Sequence, residues 1–240
     1  MIKKIKSFFH YLETISFSLL SSSITFYLLF LILPLMNLVG NIIGLLEIET
    51  INSNNYFFIN NAFSIIIFII SIIIISIRFM NALTISSDII YQDTPPRKGY
   101  KRKILSFFLT ITLVFLLVID VSFILFVIYF IRSILKAKYL YLLHLLIIFL
   151  TTSLISSIIY KYIIPIKIKL RQTFIMSSFV SIVWYVLSLL YSIIIDLFKR
   201  NSYIKLYGNY AQAMLLLMWL YLLVNVFLLG LAINYYISKK

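Results

Sequence analysis

Tyr203-Ile-Lys-Leu-Tyr207-Gly208 opens the last stretch of the chain. The apolar run behind it holds Met218-Trp219-Leu220-Tyr221 and ends at Gly230-Leu-Ala-Ile-Asn234. From about residue 211 to 237 this run is long enough for a helix to cross the roughly 30 Å of hydrocarbon in a bilayer. Working outward from it, five more such runs appear, at roughly 16–46, 56–79, 104–131, 139–160 and 172–198. Polar connections carrying Lys, Arg, Asn and Pro separate them. Mean hydropathy is +1.09, 63% of residues are hydrophobic and 12% are charged. A soluble domain of 240 residues cannot hide that much apolar surface, because its own exterior must stay largely polar. The fold class expected is all-α: one polytopic membrane domain over residues 1–240, with six transmembrane helices.

The net charge of +14 would point to nucleic acid in a soluble protein. Here its distribution follows the spans, and no nucleic-acid partner is expected. Fifteen Lys and Arg residues fall at the two termini and in the 78–103 and 160–171 connections, against six on the opposite side. The positive-inside rule puts both termini in the cytoplasm. Basic clusters beside a span also attract anionic lipid head groups, which makes membrane lipids the expected partners. There is no cysteine, so disulfides, thiolate metal sites and thiol nucleophiles are excluded. Met1–Tyr11 is short, basic and mildly amphipathic. It does not resemble a signal peptide: the apolar run behind it is too long and no small-residue cleavage site follows.

The first span, roughly 45 Å if helical throughout, must tilt, bend or project. Pro34 supplies a bend, having no N–H to donate. The half before it is rich in hydroxyls, from Ser16 to Thr25. Beyond it, Asn37, Gly40, Asn41 and Gly44 share one face, and Gly40/Gly44 has the GxxxG spacing that admits a second backbone. That face serves either helix packing, within the bundle or in a homo-oligomer, or the lining of a solute path. The 47–55 loop carries Glu47 and Glu49 and no basic residue. The second span, nearly all Ile and Phe, suits lipid contact. Residues 81–103 begin with helical-looking sequence and break at Thr94-Pro95-Pro96. Asp88 and Asp93 there read as part of a solvated connection with local ion pairs.

Asp120 lies well inside the third span, 12 residues from Arg132 and 17 from Lys103, about 18 and 25 Å along a helix. A carboxylate at that depth must face protein or water, be paired, or be protonated. It acts either as a proton or cation relay in a substrate path or as a buried carboxyl satisfied by neighbouring hydroxyls. His144 and Asp196 fall in the same outer half of the bilayer, so the three could line one outward-facing cavity. Against that, Asp196 has Lys199 and Arg200 within a turn, an ordinary interfacial pairing, and His144 can hydrogen-bond at the interface. Asn37, Asn41 and Asn225 complete the candidate intramembrane polar site. Thr151, Thr152, Ser153, Ser156 and Ser157 suit either packing or a polar lining.

Tyr207-Gly208, Trp219-Leu-Tyr221, Gly230 and Asn234 resemble the C-terminal signature of the BrkB/YihY family of bacterial inner-membrane proteins. Further matches agree. Phe26-Tyr27 precedes Pro34 by the family's interval, Pro165 and Arg171 precede Trp184 at the expected distance, and Tyr91 precedes a Pro-Arg and a basic run. There are departures: Ile175-Met176 where Pro-Gly is common, Asp88 where Asn is usual, and Ala232 in place of the Glu of the last motif. The resemblance implies a multi-pass protein of the bacterial cytoplasmic membrane, tied to serum resistance and to transport of envelope lipid or small solute. It also carries an old ribonuclease label. The residues speak against that label, because metal-assisted phosphodiester cleavage wants clustered carboxylates, and Glu13, Asp88 and Asp93 are scattered among Lys and Arg. There is no P-loop or nucleophile triad either. The expectation is a transporter or flippase, with a non-transporting envelope scaffold as the competing reading. No enzyme activity, cofactor or metal is expected.

Overall fold

The computed structural model describes the backbone of residues 2–45, 62–112, 137–166, 168–200 and 203–238. Side chains are described over 6–34, 66–112, 145–166, 168–197 and 213–236. Every regular element among them is a helix. These are α1 (Ile2–Thr14), α2 (Phe17–Leu45), α3 (Ala62–Ile90), α4 (residues 99–112), α5 (Ala137–Ile163), α6 (Leu170–Arg200) and α7 (Tyr203–Ser238). Five of them, α2, α3, α5, α6 and α7, are long and apolar enough to cross a membrane. The third expected span enters the described residues only through α4, and Asp120 lies outside them.

The helices pack in the lateral order α3, α2, α7, α6, α5, with α7 also touching α3 and α5 touching α3. The C-terminal helix thus sits in the middle of the arrangement. Both termini lie at one end of the bundle: Phe8 of α1 meets Tyr236 of α7 edge-on at 5.5 Å between ring centroids, and Tyr11 meets Tyr235 at 5.5 Å.

Two boundaries differ from the sequence expectation. The second span does not stop near residue 79. The helix runs on to Ile90, because residues 80–90 contain neither Gly nor Pro and its buried face carries Met80, Leu83, Thr84, Ser87 and Ile90. At the N-terminus, residues 2–14 form a separate helix with apolar residues recurring at helical spacing, more amphipathic than the sequence reading allowed. Phe8, Tyr11 and Leu12 pack against the core while Phe9 is exposed. Ser16, in the left-handed region at φ 50°, turns the chain from α1 into α2. Its carbonyl accepts from the N–H groups of Leu19 and Leu20.

Among the described residues, packing is densest at the termini end. The fully enclosed side chains, including Ile24, Met80, Ile90, Tyr91, Tyr160, Ile163 and Leu231, all come from the helix halves that converge there. Toward the other end the helices present Ile66, Ile70, Leu146, Leu189, Ile193 and Met214 outward. That is the pattern of helices facing lipid, where exposed Ile and Leu carry no hydrophobic penalty. Hydroxyl groups mark the close helix contacts. Ser157 of α5 and Thr173 of α6 share a hydrogen bond at 3.0 Å, and Thr84 of α3 and Ser106 of α4 approach to 3.4 Å.

Candidate functional site

Two polar clusters stand out, and each grows from one helix end or one helix face. The first lies along the middle of α7. Tyr160, wholly buried on α5, donates to the backbone carbonyl of Phe227 at 2.8 Å and lays its ring on the Phe227 ring with centroids 4.5 Å apart. Trp184 of α6 donates its indole N–H to the Leu223 carbonyl at 2.8 Å. These contacts bring α5 and α6 so close to α7 that Gly230 has no room for a side chain. A Cβ there would collide with the Tyr160 hydroxyl and stand 2.8 Å from Val180 Cγ2. Across α7, the Ser21 hydroxyl of α2 donates to Asn225 Oδ1 at 2.9 Å, while Asn225 Nδ2 donates to the Tyr221 carbonyl at 2.8 Å. Asn225 is therefore a bridge between α2 and α7.

The second cluster gathers at the termini end, from the last turn of α3, the 91–98 connection, the first turn of α4 and the end of α7. Asp88, buried on α3, faces Arg97 at 3.6 Å and Arg102 at 3.3 Å. The chain turns at residues 91–94, where the Thr94 N–H and hydroxyl both donate to the Tyr91 carbonyl, then runs through Pro95-Pro96 without regular structure to Arg97 and into α4, which carries Arg102. Arg97 also donates to the Tyr162 carbonyl of α5 at 3.4 Å, and Arg102 to the Arg97 carbonyl at 3.3 Å. Beside the ions stand three tyrosines. The Tyr235 hydroxyl donates to Asp93 at 2.6 Å, Tyr11 donates to the Ile90 carbonyl at 2.5 Å, and the Tyr91 ring meets Tyr235 at 5.1 Å.

The electrostatics follow from burial. Burial lowers Arg97 below the usual guanidinium range; Asp88 acts in the opposite direction and Arg102 adds to the lowering. Burial pushes the Tyr11 and Tyr91 phenols well above their ordinary value, reinforced by each one's tyrosine neighbours and, for Tyr11, by Asp93. Both phenols stay neutral throughout the physiological range.

The two clusters differ in how well their polar atoms are satisfied. At the termini end, buried atoms of Asn81, Ser87, Asp88, Tyr91, Arg97, Arg102 and Asn234 have no hydrogen-bond partner among the described groups. The Asp88 oxygens meet the arginines only at ion-pair range. A buried polar group left without a partner costs about 1–3 kcal/mol. A concentration of them marks a place shaped for something besides packing.

The sequence-derived candidates divide accordingly. Asn225, Trp184 and Gly230 belong to the α7 packing cluster. Asn234 is buried at the termini end, and Trp219 stacks on Tyr191 at 5.1 Å. Tyr27 and Pro34 lie inside α2, Pro165 in the turn after α5, and Arg171 is exposed at the start of α6. Asp196 is exposed near the end of α6. Asn37, Asn41, His144, Tyr207 and Gly208 lie in helices at positions where only the backbone is described. Asp88 corrects the sequence reading of a solvated connection. It is a buried helical residue holding two arginines, and Asp93, exposed, accepts from Tyr235. The signal was present: a carboxylate one turn from the end of a Ser/Thr-rich helical run, followed after a helix-breaking Pro-Pro pair by Arg. Among the described residues, no three His, Cys, Asp or Glu side chains are grouped to hold a metal.

Between α5, α6 and α7 lies an open groove of about 620 Å³, walled by apolar side chains such as Leu146, Phe149 and Ile182 and dotted with the hydroxyls of Thr152, Ser181 and Ser188. No curated protein and no solved structure matches the chain. A family model does: the one described as Virulence factor BrkB covers residues 8–240. With five membrane-length helices among the described residues and Gly230 of the α7 signature closely packed, this multi-pass membrane protein belongs to the virulence factor BrkB family.

Proposed function

We propose that the protein moves an envelope lipid or a small solute across the bacterial cytoplasmic membrane, with both termini on the cytoplasmic side, and that it is not an enzyme. One observation carries this reading: the buried, incompletely satisfied polar cluster at the termini end of a bundle whose helices are otherwise apolar. Ionisable groups at the edge of the hydrocarbon are costly and persist where they line a path or hold a ligand. The groove beside Trp184 supports the lipid version, since an apolar wall with scattered hydroxyls suits an acyl chain. A non-transporting envelope scaffold is the second reading, and the tight α5–α6–α7 packing around Gly230 favours it.

Reconstitution separates the two. Purified protein in vesicles of bacterial lipids is expected to accelerate exchange of an outer-leaflet reporter lipid or entry of a small solute above protein-free vesicles. Asp120→Asn is expected to lower the rate while leaving the amount of folded protein unchanged. Folded protein that accelerates neither would leave the scaffold reading.

A further inference from the structure

The termini-end cluster holds two arginines on one carboxylate, and its geometry is that of an open fork. Charge-assisted N–H···O contacts close at about 2.7–2.9 Å, whereas Asp88 stands 3.3 Å from Arg102 Nη2 and 3.6 Å from Arg97 Nη1. Arg97 Nη1 and Arg102 Nε make no hydrogen bond, and neither oxygen of Asp88 receives one. One carboxylate facing two guanidinium groups leaves an excess positive charge in a partly desolvated place. The Asp88 side chain is 4% exposed, and those of Arg97 and Arg102 are 18% and 22% exposed. The two arginine side chains are thus partly exposed and Asp88 is not, while Arg97 Nη1 and Arg102 Nε are themselves buried. Lys98, Lys101 and Lys103, sequence neighbours of the two arginines, and Lys161, next to the Tyr162 whose carbonyl Arg97 meets, are all exposed. Asp93, the other carboxylate nearby, takes the Tyr235 hydroxyl. In the same segment of the chain, Tyr91 and Ser87 are fully buried with hydroxyls that have no partner among the described groups.

We propose that Arg97 and Arg102 form a receptor for a phosphate group, and that Asp88 is the internal counter-ion that the phosphate replaces. Guanidinium groups match phosphate oxygens in pairs, which a lysine's point charge does not. A phosphate offers several acceptors, enough to close both forks at once. When the site is empty, Asp88 balances part of the charge and keeps the arginines converged. When phosphate enters, the excess charge is neutralised. The exposed lysines raise the local anion concentration without specifying geometry. This inference names the substrate chemistry for the transport reading, on which its biological meaning rests. Binding itself stands or falls independently of transport.

Equilibrium binding to the purified full-length protein in a neutral detergent tests it at constant ionic strength, with short-chain phosphatidylglycerol and inorganic phosphate as probes. Saturable stabilisation by the phospholipid is expected. Arg97→Gln and Arg102→Gln should each weaken it about tenfold or more, the scale of one charge-assisted hydrogen bond. Arg102→Lys should also weaken it, because the charge survives and the fork does not. Asp88→Asn should have a lower thermal midpoint without probe yet bind about tenfold more tightly, which a merely structural ion pair would not do. If inorganic phosphate competes equally, the free ion is the ligand class. If it does not compete, the phosphate of a lipid head group is. Absence of saturable binding by either probe, or binding indifferent to both Gln variants, overturns the proposal. Weaker binding by folded Asp88→Asn overturns the counter-ion role. Should that variant not fold, the two Gln variants and Arg102→Lys still decide the receptor.

Discussion

The two polar clusters of this bundle use similar side chains to opposite ends. Along α7, Tyr160 and Trp184 each send one donor to a backbone carbonyl, Asn225 receives Ser21, and Gly230 removes the side chain that would hold α5 and α6 apart. Both donors find an acceptor, and two aromatic rings fill the space. At the termini end, tyrosines again approach one another, but around three ions and a set of buried atoms without partners. The first cluster is mostly satisfied, with Ser153, Ser181 and Trp219 holding its buried polar atoms without a partner among the described groups. The second gathers more such atoms around its ions. Aromatic residues in a membrane helix therefore say little by themselves; whether their polar neighbours are satisfied tells packing from site.

The largest expected effect tests the packing half of the comparison. Gly230→Val places branched carbon where the Tyr160 hydroxyl and Val180 Cγ2 already are. It should cost about 3 kcal/mol or more, read as loss of monodisperse protein on size exclusion after detergent extraction. A wild-type thermal midpoint for this variant would mean that the α5–α6–α7 contact is not close. Tyr235→Phe acts on the other half. It deletes a donor to the Asp93 carboxylate and should cost about 2 kcal/mol, with faster protease cleavage in the 91–98 connection. Unchanged cleavage would detach Tyr235 from the cluster. The smallest effect is expected from Trp184→Phe, which loses one hydrogen bond to a carbonyl worth about 1 kcal/mol.

Much of this architecture can be read from residue order, because long apolar runs have few alternatives in a membrane. The end of α6 lies close to where the apolar run ends, and the resemblance carried by Trp219, Gly230 and Asn234 matches the family shown over residues 8–240. The extension of α3 to Ile90 was harder. Arg78 and the polar Thr84, Ser87 and Asp88 invite an early boundary, although the stretch Ile66–Ile90 as a whole is apolar enough to cross a membrane. The same feature concealed the site. Asp88 is nine residues from Arg97 and fourteen from Arg102, and nothing in linear spacing says that the turn at 91–94 brings those arginines back onto it. Asp120 drew attention for being alone in a hydrophobic run, a signal hydropathy does show. Asn225 was recognisable as a buried polar residue, but its partner Ser21 is 204 residues away, a distance only packing can close.

The central claim is that the termini-end cluster works while the α7 cluster holds. Comparing Arg102→Gln with Trp184→Phe in the same vesicle assay tests it most directly. Arg102→Gln is predicted to lose most reporter exchange with the amount of folded protein unchanged. Trp184→Phe is predicted to have a lower thermal midpoint and wild-type exchange. Wild-type exchange in Arg102→Gln, or exchange lost in Trp184→Phe alone, would contradict the account.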